Sequence, residues 1–352
     1  MSAEIRSLRL VSGDQIATPL LVPSFSSRGF GAIREPGEPE RSEVSSALEF
    51  FADRLTESFL VSAYDLHHGL LAAADSLEDE DWSASLLSRP EVLIIDSGGY
   101  EVRPKVDSGE LLQDLREPLP WTEADYGVLL DRLPAAAVNC AAVAWDRPGE
   151  SYAAQLRSAQ EFLAGRRALT PIVLLKPCRG SIHDLEELEA CASKLAFFGV
   201  IGITEHELGA TLLDRIVGVM RLRSILDRAR LSTPIHIFGA LDPLFVPLYF
   251  AAGADIFDGL TWLRYAYWHG LAVHREQAPL LQSLIEQRDD VRRFAALASN
   301  LTFLGQLQSR LRRFVAESYD WTIFNDPMVG RPGEHLGDVL QSAYLSAMAR
   351  RT

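Results

Sequence analysis

Three aspartates in this chain stand where a carboxylate can meet a ligand. Asp96 closes the apolar run Val92-Leu93-Ile94-Ile95 and opens into Ser97-Gly98-Gly99-Tyr100, where paired glycines let the backbone approach a bound group closely. Asp258 ends the run Asp255-Ile256-Phe257-Asp258 ahead of Gly259. The two-residue period of a strand puts Asp258 and Ile256 on one face and Asp255 on the other, so Asp258 is the chemical candidate and Asp255 a structural one. Asp146 follows Ala144-Trp145 and precedes Arg147-Pro148-Gly149. An ionised carboxylate accepts hydrogen bonds from a ring N–H and an exocyclic amine together, the edge that guanine presents. The blander alternatives are a helix-capping role for Asp96 and a salt bridge from Asp146 to Arg147. Several carboxylates at one site suit glycosidic chemistry, in which one attacks the anomeric carbon and another manages protons. On this pattern alone glycosidase and transferase stay equally open.

The elements that would position these groups share one grammar. EVLIIDSGG (91–99), AVAWDRPG (142–149), TPIVLLKPCRG (170–180), GVIGITEHELG (199–209) and TPIHIFGALDP (233–243) are apolar runs that end in polar or glycine residues, and ADIFDGL (254–260) is a shorter sixth. Helical patterns fill the intervals, which calls for a parallel sheet. With ATPLLVPSF and SFLVSAYDL in the first 90 residues, the count comes close to eight. Asp96, Asp146, Lys176, Thr204 with Glu205, Gly239 and Asp258 fall at successive carboxyl ends, as the mouth of a (β/α)8 barrel requires, so the fold class is an α/β TIM barrel. The expected organisation is a barrel over residues 1–280, with a mobile loop rich in Gly, Pro, Arg and Glu at 26–43, followed by helices over 281–352 packed on the barrel. Residues 288–321 form a long amphipathic stretch within the latter.

The remaining features mainly exclude. The chain of 352 residues is 47% hydrophobic, typical of a globular protein with a sizeable core. The opening MSAEIRSLRLVSGD lacks a signal-like apolar segment, and the longest apolar stretch (244–254) is interrupted by Pro247, so no membrane partner and a cytoplasmic location are expected. The three cysteines, Cys140, Cys178 and Cys191, are widely spaced, which disfavours disulfides and thiolate metal sites. A net charge of −14 argues against unspecific adhesion to nucleic acid but leaves room for one basic face. Arg288, Arg292, Arg293, Arg310, Arg312 and Arg313 either form such a stripe or are a solvated helix face balanced by Asp289, Asp290 and Glu317.

Two motifs carry a resemblance. IIDSGGYEV resembles the Asp-Ser-Gly-Gly-Phe/Tyr-Gln-Val signature of tRNA-guanine transglycosylases, and IHIFGALDP…FAAGADIFDGLTWLR resembles that family's Met-Gly-Val-Gly…Gly-x-Asp-Met-Phe-Asp-Cys…Thr-Arg block, in the same order. ATPLLVPSFSSRG, SAYDLHHG, AVAWD and NLTFLGQLQSRLRR resemble further family segments, which extends the likeness over roughly residues 5–320.

The resemblance implies a base-exchange enzyme, a pentosyltransferase that replaces guanine in a polynucleotide with a 7-deazaguanine of the queuosine-related type. Asp258 would be the nucleophile on C1′ and Asp96 the acid/base handling the proton on the incoming base. Asp146 would read the Watson–Crick edge, while Tyr100 and Phe238 sandwich the ring, Phe238 standing where the family has Met. Ser97, Gly98, Gly99 and Gly239 would complete the pocket. Lys176 replaces a Gln that contacts the base carbonyl, and Thr204 with Glu205 alters the pocket floor. Arg264 matches the first of two RNA-contacting arginines, but the second position is Tyr267. The family's Cys-x-Cys-x-x-Cys…His zinc site is absent, so neither metal nor cofactor is expected. The partners implied are tRNA or DNA and a guanine or 7-deazaguanine base, and a homodimer or a heteromeric partner is compatible with them. Rival readings are a non-catalytic nucleic-acid or partner-binding subunit and a base-releasing nucleoside glycosidase.

Overall fold

The structure, a computed structural model, describes residues 2–30, 32–33, 41–71, 81–102, 117–281, 285–326 and 335–351. Eight parallel strands close into a barrel in chain order: β1 Leu20–Phe25, β2 Ser58–Ser62, β3 Val92–Asp96, β4 Cys140–Val143, β5 Thr170–Leu175, β6 Val200–Thr204, β7 Ile235–Phe238 and β8 Ile256–Gly259. β8 returns to β1, with Asp258 opposite Val22. The TIM-barrel expectation holds, and each expected apolar run overlaps a strand. One boundary differs: β4 stops at Val143, so Asp146 stands on the loop beyond it.

Burial on both faces explains why the strand sequences are apolar throughout instead of alternating. Residues nevertheless sort by parity. Leu20, Val22, Leu60, Ile94, Ile172 and Ile256 belong to the barrel interior, whereas Leu21, Phe59, Leu93, Ile95, Val173 and Ile201 belong to the layer shared with the helices. At the upper ends the inner series turns polar, continuing through Ser24, Ser62, Asp96, Lys176, Thr204 and Asp258. The hairpin of Ser7–Arg9 with Gln15–Ala17 adds Leu8 and Leu10 to the interior.

The surrounding helices start where the local chemistry demands. Thr122 with Asp125 and Thr211 with Asp214 form capping boxes on Glu123–Arg132 and Leu212–Arg228. After β8 a hairpin of Tyr265–Trp268 with Leu271–His274 precedes the C-terminal helices. Its turn has positive φ at His269 and Gly270, as a two-residue hairpin turn requires. The helix Asp289–Ala316 falls within the expected stretch 288–321 and is tied to the barrel by Gln308, whose Oε1 accepts from Leu21 N at 3.2 Å. A final helix, Leu336–Arg351, packs on Leu212–Arg228. Within the segment expected as a mobile loop, residues 31 and 34–40 lie outside the described residues, while Ala32–Ile33 pairs with Arg41–Ser42.

The arginine stripe is largely consumed by ion pairs: Arg288 with Asp290 at 2.9 Å, Arg293 with Glu43 at 3.0 Å, Arg313 with Glu317 at 3.0 Å, and Arg292 with Asp289. This matches the balanced-face reading better than a phosphate track.

Asp255 is fully buried at the lower end of β8. Its oxygens meet Arg6 at 3.1 Å, Arg223 at 3.7 Å and the amide of Ile235 at 2.9 Å. Burial pushes its carboxyl pKa up, and the two guanidiniums and the amide oppose that. Arg223 keeps Asp227 at 3.0 Å and the carbonyls of Thr233 and Leu231 when Asp255 is removed, but Asp255→Ala leaves the buried Ile235 amide and Arg6 without this acceptor and is expected to cost about 1–3 kcal/mol in denaturant unfolding. A loss below about 1 kcal/mol, the level of an exposed pair, would refute this.

Candidate active site

The polar upper ends of the inner rows enclose a cavity of about 420 Å³ at the barrel mouth. Asp96, Asp146 and Asp258 all line it, together with Tyr100, Lys176, Thr204, Phe238, Gly239 and Arg264. Other sequence-predicted residues do not face it. Glu205 has outward parity on β6 and accepts from Tyr249 Oη at 2.7 Å and pairs with Arg215 at 3.1 Å, in the helix layer. Ser97 is buried and its carbonyl accepts from Trp121 Nε1 at 2.8 Å. Gly98 and Gly99 provide clearance. Gly98 has φ +82°, and a Cβ there would come within 2.7 Å of both Trp121 and Tyr64, while one at Gly99 would lie 3.0 Å from Asp146 Oδ2.

Asp258 is held on both oxygens. Oδ2 accepts from Ser24 Oγ at 2.8 Å, while Oδ1 lies 3.0 Å from His236 Nε2 and accepts from Gly239 N at 3.2 Å. Ser24 comes from β1, next to β8 in the barrel, and His236 from β7 on the other side. The carboxylate is thereby fixed in orientation and only 6% exposed. His236 lies two residues before Phe238 on the same face, and their rings stack at 3.8 Å. The Phe238 ring reaches over β6 because Gly202 has no side chain; a Cβ there would sit 2.5 Å from that ring. Phe238 therefore presents a flat apolar wall.

Asp96 sits across the mouth on β3, partly exposed to the cavity. Burial, followed by repulsion from Glu101, Asp146 and Asp258, pushes its pKa up to about 8, and the hydrogen bond from Gly98 N at 3.2 Å opposes this. It therefore carries a proton at neutral pH. Glu101 also lines the cavity; its Oε1 accepts from Ser26 Oγ at 2.5 Å, and burial with repulsion from Asp65 pushes its pKa up to about 7. Carboxyls raised in this way by burial and a charged neighbour inside a cleft mark candidate acid/base sites.

Opposite them, Lys176 is 1% exposed, and its Nζ donates to Thr204 Oγ1 at 2.7 Å and lies 3.6 Å from Asp146 and 3.4 Å from Glu207. At the rim, the Arg264 guanidinium donates to Arg28 O at 3.1 Å and lies 5.5 Å from the Phe30 ring centre, and Arg28 lies 4.6 Å over the Tyr100 ring. Two cations thus flank the opening of an acidic cavity. Tyr267, at the second arginine position, is buried and donates to Leu241 O at 2.8 Å, so it takes no part.

The chain is similar to a tRNA-guanine(15) transglycosylase. That protein, from Pyrobaculum aerophilum, is 28% identical over 256 residues, which take in 67% of this chain and 46% of the relative. The chain thus spans about half the length of the curated relative it matches. No protein-family model matches. The resemblance drawn from the two motifs is borne out at this level, and the closed barrel is consistent with a divergent relative. No helix among the described residues is long and apolar enough to cross a membrane.

Sequence reasoning passed over several groups now seen at the site. Ser24, Ser62 and His236 follow from inner-face parity, the last from its spacing to Phe238. Glu101 stands within the first motif, where the family signature has Gln. Glu207 and His206 lie on the turn Glu205–Leu208 after β6, which carries no periodic signal.

Proposed function

We propose that this protein is a guanine transglycosylase that exchanges guanine in a polynucleotide for a 7-deazaguanine. The observation that supports this most is the convergence of Asp258, Asp96 and Asp146 with the Phe238 and Tyr100 rings on one cavity. Asp258, anchored by Ser24 and His236, attacks C1′ of the target nucleotide and forms a covalent ester as the base departs. Protonated Asp96 gives its proton to the departing guanine. The resulting carboxylate then takes the proton from the incoming base, whose ring nitrogen displaces Asp258 at C1′. Two displacements retain configuration. Asp146 accepts from the N1–H and exocyclic amine of the base, and the ring stacks on Phe238, a contact worth about 1–3 kcal/mol.

The base must leave the helical stack to enter so deep a site, so the substrate is a flipped or single-stranded nucleotide. Arg28 and Arg264 at the rim suit its flanking phosphates. tRNA is the default polymer and DNA the rival, since Tyr267 is withdrawn into the core where an RNA-contacting arginine would stand. Incubation with labelled guanine and either polymer separates them: label is expected in one polymer only. Incorporation into neither, with free base released from a nucleoside, would replace exchange by hydrolysis.

A further inference from the structure

We infer that Glu101 reads the sugar of the target nucleotide: its unpartnered carboxyl oxygen takes the ribose 2′-hydroxyl, so that a ribonucleotide is preferred to a deoxyribonucleotide. The inference rests on the base-exchange reading above. Glu101 stands on the short helix Gly99–Val102 that follows β3, and it lines the cavity although it is only 7% exposed. Oε1 accepts from Ser26 Oγ at 2.5 Å, whereas Oε2 is buried with no hydrogen-bond partner among the described residues. Ser62 contributes the weakest of the contacts that favour the charged form. A carboxyl oxygen left in this state inside a cleft costs stability until a ligand completes it. Neighbouring Asp65 shows the contrast: fully buried, it accepts from Ser27 N at 2.6 Å and from Ser27 Oγ at 2.5 Å.

The place of that oxygen in the barrel singles out the sugar. With the strands closed in chain order, Tyr100, Asp146, Lys176, Glu207 and Phe238 form a wall from β3 round to β7, and Asp258 follows on β8. When the base lies against that wall and C1′ meets Asp258, the rest of the sugar falls in the remaining sector, over β1 and β2. The polar lining there is Ser24, Ser26 and Ser62, closed by Glu101. Ser24 is engaged by Asp258 at 2.8 Å, Ser26 by Glu101 itself, and Ser62 Oγ accepts from Asp65 N at 3.5 Å. Among the described residues of this sector, Glu101 Oε2 is the acceptor left open. Within a polynucleotide the 3′ and 5′ oxygens carry phosphate, so the 2′-hydroxyl is the donor that the sugar offers. An ionised carboxyl accepts from it, and a protonated one donates to the same oxygen. Deoxyribose leaves Oε2 buried and unpaired.

Labelled guanine and three polymers of the same sequences test this: tRNA transcripts, the same transcripts with every guanosine replaced by 2′-deoxyguanosine, and the corresponding DNA. The intact protein is expected to label the ribose form about ten- to a hundredfold faster, in kcat/KM, than the 2′-deoxyguanosine form. In Glu101→Leu that ratio should fall to near one, whatever the change in overall rate that follows from its effect on Asp96. Glu101→Gln has the same shape and still hydrogen-bonds, so it should keep a ratio of about threefold to tenfold, and it carries the test should Glu101→Leu fail to fold. Equal rates on the two transcripts, or label in DNA alone, with the intact protein would overturn the inference and leave the exchange reading standing. So would a ratio unchanged in either variant. Failure of all three polymers to take up label would overturn both.

Discussion

Asp258→Asn is expected to lower base exchange by on the order of 10⁴–10⁶-fold, the range seen when a nucleophile in a covalent mechanism is removed. Asparagine is nearly isosteric, so Ser24, His236 and the Gly239 amide keep a polar partner of the same shape. What is lost is the anion that bonds to C1′. Guanine binding should therefore survive, and a denaturation-stable adduct with the polymer should form with the intact protein and vanish in the variant. An adduct that persists in Asp258→Asn would transfer the nucleophilic role to another group. Ser24→Ala and His236→Phe should be milder, about tenfold to a hundredfold each in kcat, because they remove a hydrogen bond to the charged carboxylate and leave the carboxylate itself. A shift in KM alone would contradict that positioning role.

The barrel and its carboxylates were legible in the sequence for one physical reason. Strands buried on both faces are apolar along their length, and a polar residue that ends such a run must face either a helix or the mouth. Asp96, Lys176 and Asp258 could be placed on this ground, since they continue the inner rows of Ile94, Leu174 and Ile256. Strict use of the same parity would have removed Glu205 and added Ser24, Ser62 and His236. Asp146 could be picked from its neighbours but not by parity, because β4 ends at Val143 and a loop aims the side chain. Glu207 was not legible: its part in the wall depends on Lys176 and His183, which come from distant segments. The hairpin after β8 was missed because its signal is a two-residue turn at His269 and Gly270, next to a short helix. The rim arginines divide in the same way, Arg264 being readable from the motif and Arg28 only from the fold that brings it over Tyr100.

Asp96→Asn is expected to lower exchange by about 10²–10⁴-fold, the usual contribution of a positioned proton donor and acceptor. The more diagnostic change is in pH dependence. With a pKa of about 8, Asp96 is neutral at pH 7 and can protonate the departing base; above pH 8 it is ionised, so exchange should fall with rising pH through about 8. In Asp96→Asn this alkaline limb should disappear along with most of the rate. Burial is the first cause of the elevation and Glu101 the largest of its charged ones, so Glu101→Gln removes a repulsive neighbour. The sign is fixed: with less repulsion Asp96 ionises more easily, and the limb moves toward lower pH. Glu101, itself raised to about 7, titrates just below Asp96, so the two carboxyls lose their protons in succession rather than independently. An alkaline limb unmoved in Glu101→Gln would mean that some other group sets it, and one that persists in Asp96→Asn would exclude Asp96 as the proton carrier. The same repulsion gives the cavity its economy of charge. Burial and the neighbouring carboxylates keep the proton on Asp96 at pH 7, and that proton is the one that the departing base requires.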